Sequence, residues 1–159
     1  MIQILLEQHT ACYDENNWFV AVRNAIAGLT AEQAAWKSNG ADNTIWEEVN
    51  HIIFWNERWI QRYRGLLNYP EDIENTGTFR SEASDWQATI EKLFAVMDEW
   101  REILNEITDE KLNSPVNDQY QEPWFKPLAQ QNIHNAYHTG QIVLLRKLQG
   151  SWNPEKGVS

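Results

Sequence analysis

Apolar positions recur on a helical period through most of the chain. The clearest stretch is the third quarter, where Trp86, Ile90, Leu93, Met97, Trp100, Leu104 and Ile107 alternate steps of four and three. That spacing lays one stripe along a helix. Ser84 and Gln87 supply a capping-box pattern ahead of it, so a helix is predicted over 85–107. Thr44 and Glu47 form the same box before Ile45, Val49, Ile52, Trp59 and Tyr63, which predicts a second helix stopping at Gly65. Upstream, Ile2, Leu5, Leu6, Cys12, Phe19, Val20 and Ile26 lie broadly on one side of a helix predicted over 2–27 and ended by Gly28. Thr30 and Gln33 repeat the capping-box spacing and mark a short extra turn. The last helix opens at Pro127, runs through Ile142, Leu145 and Leu148, and stops at Gly150 after Arg146 and Lys147.

Two polar stretches, 66–83 and 108–126, contain Pro70, Gly77, Pro115 and Pro123 and read as connections. No segment alternates with a period of two, and no internal repeat or low-complexity tract interrupts the pattern. Four long helices with apolar stripes bury them best against one another. The expected class is all-α, a four-helix bundle forming one domain over 1–150, with a C-terminal tail over 151–159.

Composition sharpens this in three places. Gly and Pro together number only 12 of 159 residues, consistent with long helices and few turns. The formal charge is −10, from 13 Lys and Arg against 23 Asp and Glu. Such a surface repels phosphate backbones, and no Lys/Arg-rich run restores a nucleic-acid reading. The longest fully apolar run, Trp18 to Val22, is far too short to span a bilayer, and the first residues lack the basic start of a secretory signal. Single Cys12 makes no internal disulfide, so the expected setting is cytoplasmic.

The candidate chemistry lies in the histidines. His134 and His138 are one turn apart on the predicted last helix, on the side of Ile142, Leu145 and Leu148. Two imidazoles so placed converge on one ion, as they do in zinc helices. His51, one turn beyond Glu47 in the predicted second helix, is a third candidate. Three neutral imidazoles suit zinc, nickel, copper or iron and leave a coordination position open, the arrangement that catalytic sites keep. The alternative is that each histidine sits at the edge of the core and bonds a neighbour.

Glu47 and Glu48 flank His51 and are candidates for a general base or for orienting an imidazole, although acids at a helix start are also favoured by its dipole. Tyr137 and Gln141 neighbour the histidine pair and are candidates for substrate binding. His9 is expected to be a buried, hydrogen-bonded core histidine and Cys12 inert packing. Gly140, inside a helix, either permits close helix approach or leaves room in a pocket. Trp46, Trp55, Trp59, Trp124 and Trp152 are expected to serve the core, with no ligand role.

The segment HNAYHTGQIVLLRKLQG, from His134 to Gly150, resembles the last helix of the DinB/YfiT-like superfamily. NHIIFWN, from Asn50 to Asn56, resembles that family's second helix, and the Gly28-Leu29-Thr30 turn with the following Glu32 and Trp36 also fits. The resemblance implies a bundle with a long crossover between helices 2 and 3, which 66–83 would supply, and frequent homodimers. It further implies one divalent metal per chain held by three histidines, which map onto His51, His134 and His138. Zinc or nickel comes first, with iron, manganese and copper as alternatives. Family members of known activity are metal-dependent hydrolases, or transferases that use low-molecular-weight thiols, among them bacillithiol S-transferases and mycothiol-dependent isomerases. The expected function is therefore a metal-dependent hydrolase or thiol S-transferase acting on a small molecule. The rival reading is a non-catalytic bundle that binds metal or a small ligand in stress response.

Overall fold

The computed structural model describes residues 1–40, 43–68, 71–80 and 85–156. Among these the chain forms α1 (Ile2–Tyr13), α2 (Val22–Ala25), α3 (Ala31–Ala35), α4 (Ile45–Tyr63), α5 (Trp86–Glu106), α6 (Asp109–Asn113) and α7 (Phe125–Leu148). Short 3-10 turns occupy Asn75–Phe79 and Pro154–Lys156. There is no strand among the described residues, only an isolated bridge between Pro115 and Pro123.

Capping chemistry sets the boundaries. At the start of α4 the Glu47 amide donates to Thr44 Oγ1 at 3.2 Å, and the Thr44 amide donates to Glu47 Oε2 at 2.7 Å. This reciprocal box satisfies two amides that the first turn leaves without partners. Thr30 and Gln33 make the same box at α3, and Thr108 caps α6. Asp85 caps α5 by accepting the Ala88 amide, whereas the expected Ser84 lies outside the described residues, as does Pro70. The ends of α4 and α7 share one device. Gly65 and Gly150 adopt positive φ, and the residues after them, Leu66 and Ser151, donate back to Gln61 and Arg146. That reversal requires the left-handed conformation glycine adopts without strain.

The first helix departs from expectation. It ends at Tyr13 instead of running to Ala27, and only the four residues of α2 resume the helix. The intervening Asp14-Glu15-Asn16-Asn17 run explains the break. Asn16 Oδ1 accepts both the Ala21 amide and the Asn24 side chain, a local alternative to helical bonding that Asx residues favour. Trp18 consequently points to solvent, 91% exposed. The two polar connections also carry structure, α6 in one and the Asn75–Phe79 turn in the other, and that turn packs on α4.

Helix α4 packs against α5 and α7, and α1 packs against the same two, so the four long helices share one core. The heptad stripe of α5 faces it: Leu93, Met97, Trp100 and Leu104 are buried, opposite Val49, Ile52 and Ile60 of α4 and Ile142 and Leu145 of α7. A polar layer crosses this core. Asn56 and Asn135 exchange amide hydrogen bonds at 2.8 and 3.2 Å, and Gln131 joins them through Asn135. These carboxamides are buried with partners, which fixes the register of α4 against α7. Arg146, also buried, donates to the carbonyls of Ala25, Ala27 and Ser151 and ties α2 and the tail to α7.

Candidate metal centre

The register of α4 against α7 brings three imidazoles together. His51 follows the capped first turn of α4, and His134 and His138 are one turn apart on α7. One ligand atom from each lies within 4.8 Å of the others, and His51 Nε2 stands 3.0 Å from His134 Nε2. His51 and His138 are buried and His134 is half-buried.

The outer nitrogens reveal which atoms face inward. Thr78 spends its one hydroxyl hydrogen on the Asn75 carbonyl at 2.6 Å, so its oxygen accepts at 2.6 Å from His51 Nδ1. His51 therefore carries its hydrogen on Nδ1 and presents the Nε2 lone pair. Glu48 Oε2 accepts from His138 Nδ1 at 2.6 Å and sets the same tautomer there, while Oε1 accepts from Asn43 at 3.0 Å. His134 Nδ1 is buried and has no hydrogen-bond partner among the described residues. Phe79 stacks on the His51 ring with centroids 4.1 Å apart and planes 13° from parallel, fixing its orientation.

Nitrogens at 3.0 Å need a proton or a cation between their lone pairs. Without an ion, neutral His134 bridges the gap by donating its Nε2–H to His51 Nε2; an imidazolium is disfavoured, because burial, then the charges of His138 and His134, pushes His51 down to about 3. Burial, then His138, pushes His134 down to about 4. Imidazoles bound at metal distances of about 2.0–2.1 Å place their nitrogens roughly 3.0–3.4 Å apart, so the spacing of this pair also accommodates an ion in place of that hydrogen. The donor set also fits a divalent transition metal: neutral imidazole nitrogens, with two rings oriented through their other nitrogen.

The group opens on one side into a cavity of about 640 Å3 between α4, α7 and the Asn75–Phe79 turn. Tyr137 and Gln141 line it, as do Trp55 and Trp59. Glu47 lies elsewhere, its carboxylate engaged in the helix cap and its neighbours Thr44 and Arg80 along a separate groove. His9 is not part of the group; buried against α5, its Nε2 donates to the Met97 carbonyl at 3.0 Å. Cys12 Sγ donates to the Asn132 carbonyl, and burial pushes its thiol up to about 12, so it stays protonated and unreactive. Trp46 donates to Thr89 and meets Trp86 edge-on, and Trp124 is fully buried, so both serve packing. Gly140 lies on the exposed side of α7, with nothing within 4 Å of where a Cβ would stand.

Thr78 and Phe79 went unread in the sequence because they lie in a connection without periodicity. The local signal is Phe79, an aromatic ring between the polar runs Glu74–Thr78 and Arg80–Glu82. Asn43 is likewise tied to the site only through Glu48.

The fold and the site define an all-helical protein with a buried three-histidine group that could hold a metal ion. The family model described as the DinB superfamily matches residues 16–142, and the chain belongs to that superfamily. No curated protein and no solved structure matches it. No helix among the described residues is long and apolar enough to cross a membrane.

Proposed function

We propose that His51, His134 and His138 hold one divalent metal ion, zinc or nickel first, and that the protein is a metal-dependent hydrolase or a low-molecular-weight-thiol S-transferase. Iron, manganese and copper suit the same donors. The observation that carries the reading is the convergence of these imidazoles, two of them fixed with Nε2 inward by Thr78 and Glu48, at the floor of an open cavity. Superfamily membership supports it, and so does the packing of α4 and α1 against α5 and α7; the reading takes these as a four-helix bundle whose crossover is 66–83.

A divalent ion there supplies Lewis acidity, lowering the pKa of water or of a thiol towards neutrality. The protein contributes position. Glu48 and Thr78 hold two imidazoles in the ligand tautomer, and Phe79 prevents the His51 ring from turning. Tyr137 and Gln141 offer hydrogen bonds to a substrate beside the histidines. Cys12 is not among the cavity-lining residues and stays protonated, so a reacting thiol would come from a small-molecule partner. The reading includes a cytoplasmic homodimer acting on a small molecule, with no nucleic-acid partner.

Elemental analysis of the purified protein tests the site: about one divalent ion per chain is expected, and little in His134→Ala or His138→Ala. Full retention in both variants overturns it. Loaded protein is then assayed for thiol conjugation to electrophiles and for ester and amide hydrolysis. Activity that disappears with the metal supports the enzyme, whereas a loaded protein inert in every assay points to the non-catalytic binding role.

A further inference from the structure

The polar layer across the core dictates which way one side chain of the cavity wall faces. Asn56 Nδ2 donates to the Ile52 carbonyl at 2.7 Å, and a carbonyl only accepts, so that end of Asn56 is its amide. The same amide donates to Asn135 Oδ1 at 2.8 Å, and Asn56 Oδ1 takes the Asn135 amide in return at 3.2 Å. Asn135 therefore turns an oxygen to Gln131, one turn earlier on α7. Gln131 meets that oxygen with Nε2 at 3.2 Å and must hold its amide inward, because the reversed carboxamide would set two oxygens against each other.

Gln131 Oε1 is left as the free end. It accepts nothing from the other described residues, although Gln131 is only 7% exposed. A carbonyl so placed lacks the hydrogen bond that water gives it in the unfolded chain. Gln131 precedes His134 by three residues and His138 by seven, so it shares their side of α7, and it lines the same cavity. On its other flank the gap against His9 and Trp100 has about 10 Å3, room for a single water at most, so a ligand reaches Gln131 from the cavity. Gln130 and Gln141, also in the wall, make no hydrogen bond to other described residues, so neither is committed to one face.

We propose that Gln131 is a specificity-determining residue of this site, its carbonyl oxygen accepting a hydrogen bond from the ligand. The ligand then carries an N–H or O–H donor beside the group that reaches the histidines. The inference rests on the metal-site reading for what that group meets, and it holds for an anionic and a neutral group alike. The open position of an ion takes an anion or a lone pair, and neither of these satisfies an acceptor in the wall.

The test is isothermal titration of the metal-analysed, full-length protein with paired probes in which a methyl group replaces one donor hydrogen. Two pairs carry a thiol: 2-mercapto-N-methylacetamide with 2-mercapto-N,N-dimethylacetamide, and 2-mercaptoethanol with 2-methoxyethanethiol. The third, N-methylbenzamide with N,N-dimethylbenzamide, has none. In wild type each donor is expected to bind about five- to tenfold more tightly than its methylated partner. Gln131→Met keeps the length of the side chain and removes the acceptor; with its metal content unchanged, it should narrow the ratio to roughly twofold or less. Equal binding within the pairs, or no binding, by wild-type protein overturns the proposal whether or not the variant folds. A preference that persists undiminished in Gln131→Met also overturns it, because the methyl group's size would then be the cause. If elemental analysis finds no metal, the metal-site reading fails, and the thiol-free pair still decides this one: donor preference sustains it, and equal binding or none overturns it.

Discussion

A buried imidazole that must present one nitrogen to an ion needs its other nitrogen held, and Thr78 does this for His51 through one hydroxyl used in both directions. Replacing Thr78 by Val keeps the shape and removes the acceptor, leaving His51 Nδ1–H unpaired. Loss of such an orienting partner typically weakens metal binding about 10–100-fold. Competition titration with a chromophoric chelator should show that loss in Thr78→Val and near-native affinity in Thr78→Ser, and unchanged affinity in the Val variant would remove Thr78 from the site. His9 poses a different problem at the same scale. Burial, then the nearby Arg101, pushes it from 6.5 down to about 4, because an imidazolium there would lose water and face a cation. Its folded pKa lies below the unfolded value, so its contribution is fully present above about 6.5 and is lost as pH falls through about 4. The loss is on the order of 3 kcal/mol. Denaturant titrations at pH 7 and pH 4 should therefore show a smaller fall for His9→Gln than for wild type. Equal slopes would show that His9 titrates normally.

Among the elements, what was legible depended on how far each signal reaches along the chain. The stripe from Trp86 to Ile107 and the Thr44–Glu47 box are local patterns, and α5 and α4 follow them closely. The meeting of His51 with His134 and His138 was anticipated only because both helices have a definite inner side and because their segments resemble a known family. The break after Tyr13 was missed because apolar residues continue at roughly helical spacing through Val20, while the Asn16 side-chain bonds that end the helix leave no periodic trace. Glu47 and Glu48, adjacent in sequence and equivalent as candidates, were separated by a 100° turn of α4: one caps the helix and the other reaches His138. The same geometry makes an ion a clip between α4 and α7. Excess metal at about a hundred times its dissociation constant would stabilise the fold by roughly 2.7 kcal/mol. Chelation should then lower the melting temperature by about 5–10 °C. In His138→Ala the chelator should have no effect, and a shift of wild-type size in that variant would place the ion elsewhere.

At the scale of the whole molecule, α7 stands apart because most of its length is uncharged on both sides. From Pro127 to Leu145 it carries no Asp, Glu, Lys or Arg, although the chain is charged at 23% of its positions. One side is buried, but Ile133, Tyr137, Leu144 and Leu148 remain 66%, 65%, 56% and 57% exposed, in a row that passes through Gly140. Gly140 costs the helix roughly 1 kcal/mol relative to Ala, and open space around it means no intramolecular contact requires its small size. Two molecules of charge −10 repel over most of their surfaces, and this uncharged stripe is where a pair can meet with least repulsion. In such a pair, the glycine at its middle would let two α7 helices approach closely across a two-fold axis. Tyr137 belongs to both the stripe and the cavity lining, so the partner would lie beside the cavity mouth. Light scattering should accordingly give a mass near twice the 18.7 kDa chain for wild type. Leu144→Asp, which sets like charges against each other at the crossing, should run as a monomer with unchanged helical circular dichroism. A wild-type monomer, or a Leu144→Asp dimer, would mean that the exposed side of α7 does not hold two copies together.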